Sequence, residues 1–206
     1  GDTPRLIDEW QDAPMLWDAV RTTVDDRQIP GQFILTGSNA VDKSQIHHSG
    51  AGRIARLRML PMSLWESQES TGEVSLKELF NNPDYDIDGK MSKMTVEDLI
   101  FAASRGGWPA SLLARTPKAQ LLVAKNYVQT ICSDDVSGID GKKRDAKLTS
   151  MILRAYARNV STLVKKKSLL DDVTSSGEVS CHVDTFDDYV SALEKLFVIQ
   201  NISAWC

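Results

Sequence analysis

The chain has 206 residues, 42% of them hydrophobic and 25% charged, with a formal net charge of -4. That is enough polypeptide to bury a full core as one large domain or two small ones, and the acidic balance is not the footprint of a general nucleic-acid binder. No apolar run approaches the roughly 20 residues that cross a bilayer, and no basic flank leads into an apolar stretch as in a signal peptide.

Arg5-Leu-Ile7 reads as the tail of a strand that runs straight into two adjacent carboxylates, Asp8 and Glu9. Neighbouring side chains on a strand point to opposite faces, so the pair is expected to fork, one acid holding a metal and the other orienting a water. The plainer alternative is a strand that ends in a polar turn. Asp12 and Pro14 then supply a helix start, and Leu16, Val20 and Val24 share one face of a helix over Met15–Val24. Pro30-Gly31 stops it, and Gln32–Gly37 is a second apolar strand. Strand, helix and strand make a βαβ unit with parallel strands. Ligands of such sheets sit beyond the carboxyl ends of the strands, where Asp8, Glu9, Thr36 and Ser38 all fall.

The loop Ser38–Gly52 contains the adjacent His47 and His48, which diverge and read as loop residues. Arg56–Met59 alternates basic and apolar residues, a strand candidate, and Pro61–Glu66 reads as a turn into a short helix. Residues 67–95 are polar. Asp84, Asp86, Asp88 and Gly89 hint at a calcium loop, but the later bidentate Glu and the flanking helices are missing. From Val96 the pattern becomes helical, over Val96–Ser104, Ala119–Cys132, Ala146–Val164 and Asp184–Leu196. Three scattered cysteines, Cys132, Cys181 and Cys206, argue against a disulfide framework or zinc site and make the cytoplasm the expected compartment.

In the last helix, Thr185 and Asp188 have capping-box spacing, and Phe186, Tyr189, Val190, Leu193 and Phe197 form an apolar stripe. A strand is expected over Phe197–Ala204, which completes a winged-helix outline. A DNA-reading helix offers basic and amide groups, whereas this one carries Asp187, Asp188 and Glu194 against Lys195. A protein partner or self-association is therefore expected. Lys142–Arg144 and Lys165–Lys167 leave DNA contact as the disfavoured option, and no membrane partner is expected.

Asp8-Glu9, then Leu35-Thr-Gly-Ser38, then His48-Ser-Gly-Ala-Gly-Arg53 resembles, in order and spacing, a bacterial and archaeal family of AAA+-like ATPases with a C-terminal DUF4143 domain. Arg58–Glu66 looks like that family's link out of the ATPase domain, and Gly106-Gly-Trp-Pro109 with Asp184–Trp205 looks like the DUF4143 part. The resemblance implies a Walker B strand ending at Asp8-Glu9, a sensor 1 strand ending at Ser38 and an arginine turn at Arg53. It implies Asp8 as the Mg²⁺ residue, Glu9 as general base, Ser38 (with Thr36 a weaker candidate) on the attacking water or γ-phosphate, and Arg53 reaching a γ-phosphate.

The fold expected on this resemblance is α/β followed by mostly α. Residues 1–66 form the late part of a P-loop-type parallel-sheet core, and 67–206 a helical, winged-helix-like domain. ATP and Mg²⁺ are the implied cofactors. No G-x-x-x-x-G-K-[ST] loop occurs in the sequence, so the chain is expected to be a fragment, inactive alone, of an ATP hydrolase that couples turnover to partner binding. The competing expectation is a non-catalytic interaction or weak DNA-binding module on a degenerate ATPase scaffold.

Overall fold

A computed structural model of the chain describes residues 3–38 and 50–203. The fold divides into two compact units, residues 1–57 with 130–206, and residues 58–129.

In the first unit, strand β1 (Arg5–Ile7) pairs in parallel with β2 (Phe33–Leu35), with Leu6 opposite Ile34. Helix α1 (Met15–Arg27) connects them, which is the βαβ order that the apolar spacing predicts. The expected Asp12 N-cap is not formed. Asp12 closes a 3-10 turn over Trp10–Asp12, and Pro14 occupies the N-cap position. The helix also runs past Val24 to Arg27, because Gln28 ends it in the left-handed region at φ 54°. Trp17 and Val20 are buried, and Trp10 stacks on Trp17 at 5.0 Å between ring centroids. Leu6 and Ile34, in register on one face, are 66% and 57% exposed.

The remainder of the first unit is helical. A π-helical turn over Ile131–Asp135 leads into α6 (Val136–Gly138), followed by α7 (Ala146–Arg158), α8 (Lys166–Thr174) and α9 (Val183–Lys195). Ile131, Val136, Ile152, Ala155, Val173, Phe186 and Leu193 form its core. Helix α7 stops short of the expected Val164. Asn159 turns back to donate Nδ2 to the Ala155 carbonyl at 2.9 Å, and Ser161 then adopts φ 58°. Helix α9 starts before the expected cap. His182 is its N-cap residue, which places Thr185 inside the first turn. Asp188 is used elsewhere, on Arg144 and Lys142 (2.9 and 2.6 Å), because a nearly buried guanidinium needs a carboxylate more than a helix end does. The strand expected over Phe197–Ala204 is not formed at residues 197–203. An extended segment becomes a strand only with a ladder partner, and among the described residues none pairs with it, so the winged-helix outline lacks its wing there.

In the second unit, α2 (Leu76–Asn81), α3 (Val96–Arg105), α4 (Pro109–Leu113) and most of α5 (Pro117–Thr130) follow one another. A capping box does occur here, with Thr95 and Asp98 bonding each other's backbone amides at the start of α3. The strand expected over Arg56–Met59 is not formed. Among the described residues this stretch joins no strand ladder, and Leu57 and Met59 are 91% and 87% exposed. The Gly106-Gly-Trp-Pro109 break instead docks on the Pro61-Met62 segment. The Met62 amide donates to the Gly107 carbonyl at 2.8 Å, and a Cβ on Gly107 would lie 2.3 Å from the Met62 carbonyl oxygen. Arg105, 6% exposed, forms a two-pronged ion pair with Glu69 at 3.0 and 2.8 Å.

Candidate functional site

The carboxyl ends of the two parallel strands bring Asp8, Glu9, Thr36 and Ser38 together. The backbone sets this up: the Thr36 amide donates to the Ile7 carbonyl at 3.0 Å, and the Trp10 amide returns to the Thr36 carbonyl at 3.1 Å. The bonding therefore continues to Thr36, one residue past β2, and to Trp10, three residues past β1, and fixes both strand ends side by side. The Thr36 hydroxyl donates to Asp8 Oδ1. The Ser38 hydroxyl lies 3.1 Å from Glu9 Oε2, which also accepts from Gln11 Nε2.

The strand ends at Ile7, so strand alternation is not what separates the two acids. Glu9 sits in the left-handed region, φ 48° and ψ 45°, where a side chain other than glycine costs about 1 kcal/mol or more. That conformation hands Glu9 to Ser38 while Asp8 goes to Thr36, two partners spaced two residues apart. Strain of this kind clusters at functional sites, where surrounding bonds hold it in place. Both carboxylates remain exposed.

Arg53 is placed differently. Its Nε is 2.5 Å from Asp25 Oδ1 on α1, and its Nη1 donates to the Ala51 carbonyl at 3.3 Å. Gly50, at φ 69°, sets the turn against Trp17, where a Cβ would come within 2.8 Å of the indole. Arg56 stacks over the same ring at 5.4 Å. The arginine turn is thus fastened to α1, and among the described residues Arg53 bonds Asp25 and Ala51 rather than Asp8 or Glu9. Trp10 is a packing residue, as is Trp108, which packs on Tyr127 with ring centroids 4.5 Å apart. Trp65 is 65% exposed and covers Gly72. His47 and His48 lie outside the described residues.

Hard oxygen donors on an exposed carboxylate pair suit a hydrated Mg²⁺, which keeps several of its waters and takes one or two carboxylates. Asp8 Oδ2 and Glu9 Oε1 are the oxygens left for it, since Thr36 and Ser38 engage the other two. The triphosphate of ATP is a different matter. It needs backbone amides and a cation, and Arg53, the cation that the family resemblance assigns to it, is engaged by Asp25. Among the described residues, the acidic pair fits the metal and no cation is bonded beside it for a triphosphate. Two residues at the site carry no sequence signal of their role, Gln11 on Glu9 and Asp25 on Arg53. A glutamine in a turn and an acid in a polar helix face are unremarkable until the fold aligns them.

The basic runs behave unlike their sequence reading. Lys142 is paired with Asp188, and Arg144, 6% exposed, is clamped by Asp140 and Asp188. Lys166 is paired with Asp187. Asp84, Asp86 and Asp88 belong to no metal-binding cluster among the described residues. Cys132 and Cys181 are free thiols, and burial raises both above the ordinary thiol value. Among the described residues, no helix is long and apolar enough to cross a membrane.

Comparison with known families divides the chain in two. An AAA domain family matches residues 2–68, the stretch holding the acidic pair, both strand ends and Arg53, and marks it as an ATPase-type scaffold. No curated protein and no solved structure matches the chain. Over the helical residues the match is to a different family from the DUF4143 domain that the sequence resembles. That match, to the domain of unknown function DUF8612, covers residues 96–206, more than half the chain, and the chain belongs to this family.

Proposed function

We propose that residues 2–68 are the acidic half of an AAA-type ATP-hydrolysing site, and that the helical residues after them bind a protein partner or a second copy. One observation carries the reading. Two adjacent carboxylates at the end of one parallel strand are each held by a hydroxyl from the end of the neighbouring strand, Asp8 by Thr36 and Glu9 by Ser38. Asp8 would hold the hydrated Mg²⁺ that neutralises developing phosphate charge. Glu9, oriented by Ser38 and Gln11, would accept a proton from the attacking water. Ser38 would lie within reach of the same water.

The sheet supports this assignment. A parallel sheet is ordinarily covered on both faces, yet Leu6 and Ile34 are exposed and only two strands are paired among the described residues. That is the state of inner strands from a larger sheet. The reading requires a phosphate-binding loop from outside these 206 residues, since none is encoded in them. For the helical part, exposed Val96, Leu99 and Ile100 on α3 and Leu121 and Leu122 on α5 form apolar surface of the kind that partners cover. DNA remains disfavoured, because Lys142, Arg144 and Lys166 are neutralised by acids.

A second reading, a non-catalytic scaffold, is favoured by Arg53 being fastened to Asp25. Calorimetry of Mg-ATP with the 206-residue chain bears on both. The expected result is no binding tighter than about millimolar, because carboxylates alone repel a triphosphate. Micromolar affinity would mean that this chain holds a phosphate site of its own, and would overturn the requirement for an external loop.

A further inference from the structure

The helical part of the first unit contains a cleft separate from the acidic pair. It lies between α7 and α8, has a volume of about 540 Å³, and its lining includes the cations Lys147, Arg154 and Arg158, the acids Asp172 and Glu178, and Ser150, Met151 and Val173. That volume is within the range of small-ligand sites.

Lys147, Arg154 and Arg158 fall at i, i+7 and i+11 on α7 and so share one face. Two of the three are committed. Lys147 Nζ is 2.9 Å from Glu178, and Arg158 donates to Asp172 Oδ2 at 3.0 and 2.7 Å. Arg154, between them, makes no hydrogen bond or ion pair among the described residues. Ser150, one turn before Arg154 on the same face, has a hydroxyl with no protein partner among the described residues. The other cleft hydroxyls are occupied: Ser175 Oγ donates to the Asp172 carbonyl at 2.8 Å, and Ser176 Oγ accepts from the Glu178 amide at 3.3 Å. Met151 and the buried Val173 supply apolar surface.

The cleft therefore presents a guanidinium and a hydroxyl that no protein group bonds among the described residues, with Met151 and Val173 in the same lining and an ion pair on either side; the Arg154 charge reaches Glu178 only through space. We propose that it binds the phosphate group of a small phosphomonoester, with Arg154 and Ser150 as the donors and Met151 and Val173 against the ligand's apolar body. A guanidinium offers two parallel N–H donors matched to phosphate or carboxylate. Phosphate is the better fit because its third oxygen remains free for the Ser150 hydroxyl after the guanidinium takes two. One uncommitted cation is too few for a nucleic-acid backbone, whose binding draws on several neutralised phosphates.

The test is an NMR titration of the 206-residue chain with phenyl phosphate, inorganic phosphate and benzoate, read at the Ser150 amide and the Arg154 amide and Nε–Hε. The expected result is saturable shifts confined to α7, α8 and residues 175–178, with phenyl phosphate binding more tightly than inorganic phosphate or benzoate. Arg154→Gln should weaken phenyl phosphate about tenfold or more at unchanged helix content, since Arg154 is exposed. The proposal is overturned by an absence of saturable shifts, by equal affinity in Arg154→Gln, or by benzoate matching phenyl phosphate. Duplex DNA binding more tightly than phenyl phosphate through Arg154 would also overturn it.

Discussion

Arg144 shows how one residue can fix the local fold. Its side chain is 2% exposed and donates to Asp140 at 2.7 and 2.8 Å, to Asp188 at 2.9 and 3.0 Å, and to the Val136 carbonyl at 2.6 Å. The guanidinium thereby ties the turn before α7 to α9. Its hydrogen bonds hold the Asp140 carboxyl down at about 2, against an ordinary 3.8, and Asp188 is lowered first by Lys142 and then by Arg144. A carboxylate whose folded value is depressed stabilises the fold fully above its unfolded value, and that contribution is lost as pH falls through the folded value. Stability of the helical part should therefore drop as Asp140 is protonated between about pH 4 and pH 2. Arg144→Met should weaken that pH dependence and cost about 1–3 kcal/mol at neutral pH, because Asp140 loses its guanidinium, Asp188 keeps only Lys142, and the Val136 carbonyl loses its donor. Urea midpoints followed by circular dichroism at pH 6, 4 and 2.5 check both. A midpoint that does not move with acid in the wild type would remove Asp140 from the account.

At the scale of elements, the glycine–glycine break before α4 acts through the backbone. Gly107 lies so close to the Met62 carbonyl that an added Cβ would sit 2.3 Å from the oxygen, and backbone cannot swing aside as a flexible side chain can. Gly107→Ala should break the Met62–Gly107 hydrogen bond and destabilise residues 58–129 by about 1–3 kcal/mol. Hydrogen exchange at the Met62 amide should rise at least tenfold; unchanged protection would show that the segment can shift to make room. Much of this scale was legible in the sequence. The βαβ order, α1, α3, α5, α7 and α9 follow from apolar spacing and from breakers such as Pro30-Gly31. The misses have physical causes. Helix α8 opens on Lys165-Lys-Lys167, which resembles an exposed basic run until Asp187 pairs with Lys166. The expected strands at 56–59 and 197–203 have extended composition but no ladder partner among the described residues, and pairing is a property of the fold rather than of the segment.

For the whole molecule, the acidic pair was legible because its partners are short motifs at strand ends, Thr36 and Ser38 against Asp8 and Glu9. The seating of Arg53 was not, because it depends on Asp25, a helix residue unmarked by any motif. The cleft between α7 and α8 was hidden likewise. Lys147, Arg154 and Arg158 have helical spacing, but which of them is neutralised depends on acids from α8 and the segment after it. The AAA match covers residues 2–68 and the DUF8612 match residues 96–206, so the proposed hydrolytic chemistry lies in the first stretch and the proposed partner binding lies after it.

The central claim is that Glu9, held by Ser38 and Gln11, activates water in an ATP-hydrolysing site. Its most direct test is Glu9→Gln in a protein that carries these residues together with the phosphate loop the proposal requires, read as ATP turnover alongside ATP affinity. The amide keeps the shape of the side chain but cannot take a proton from water. Turnover should fall about 100-fold or more with ATP affinity nearly unchanged, whereas turnover within about threefold of wild type would contradict the assignment of Glu9.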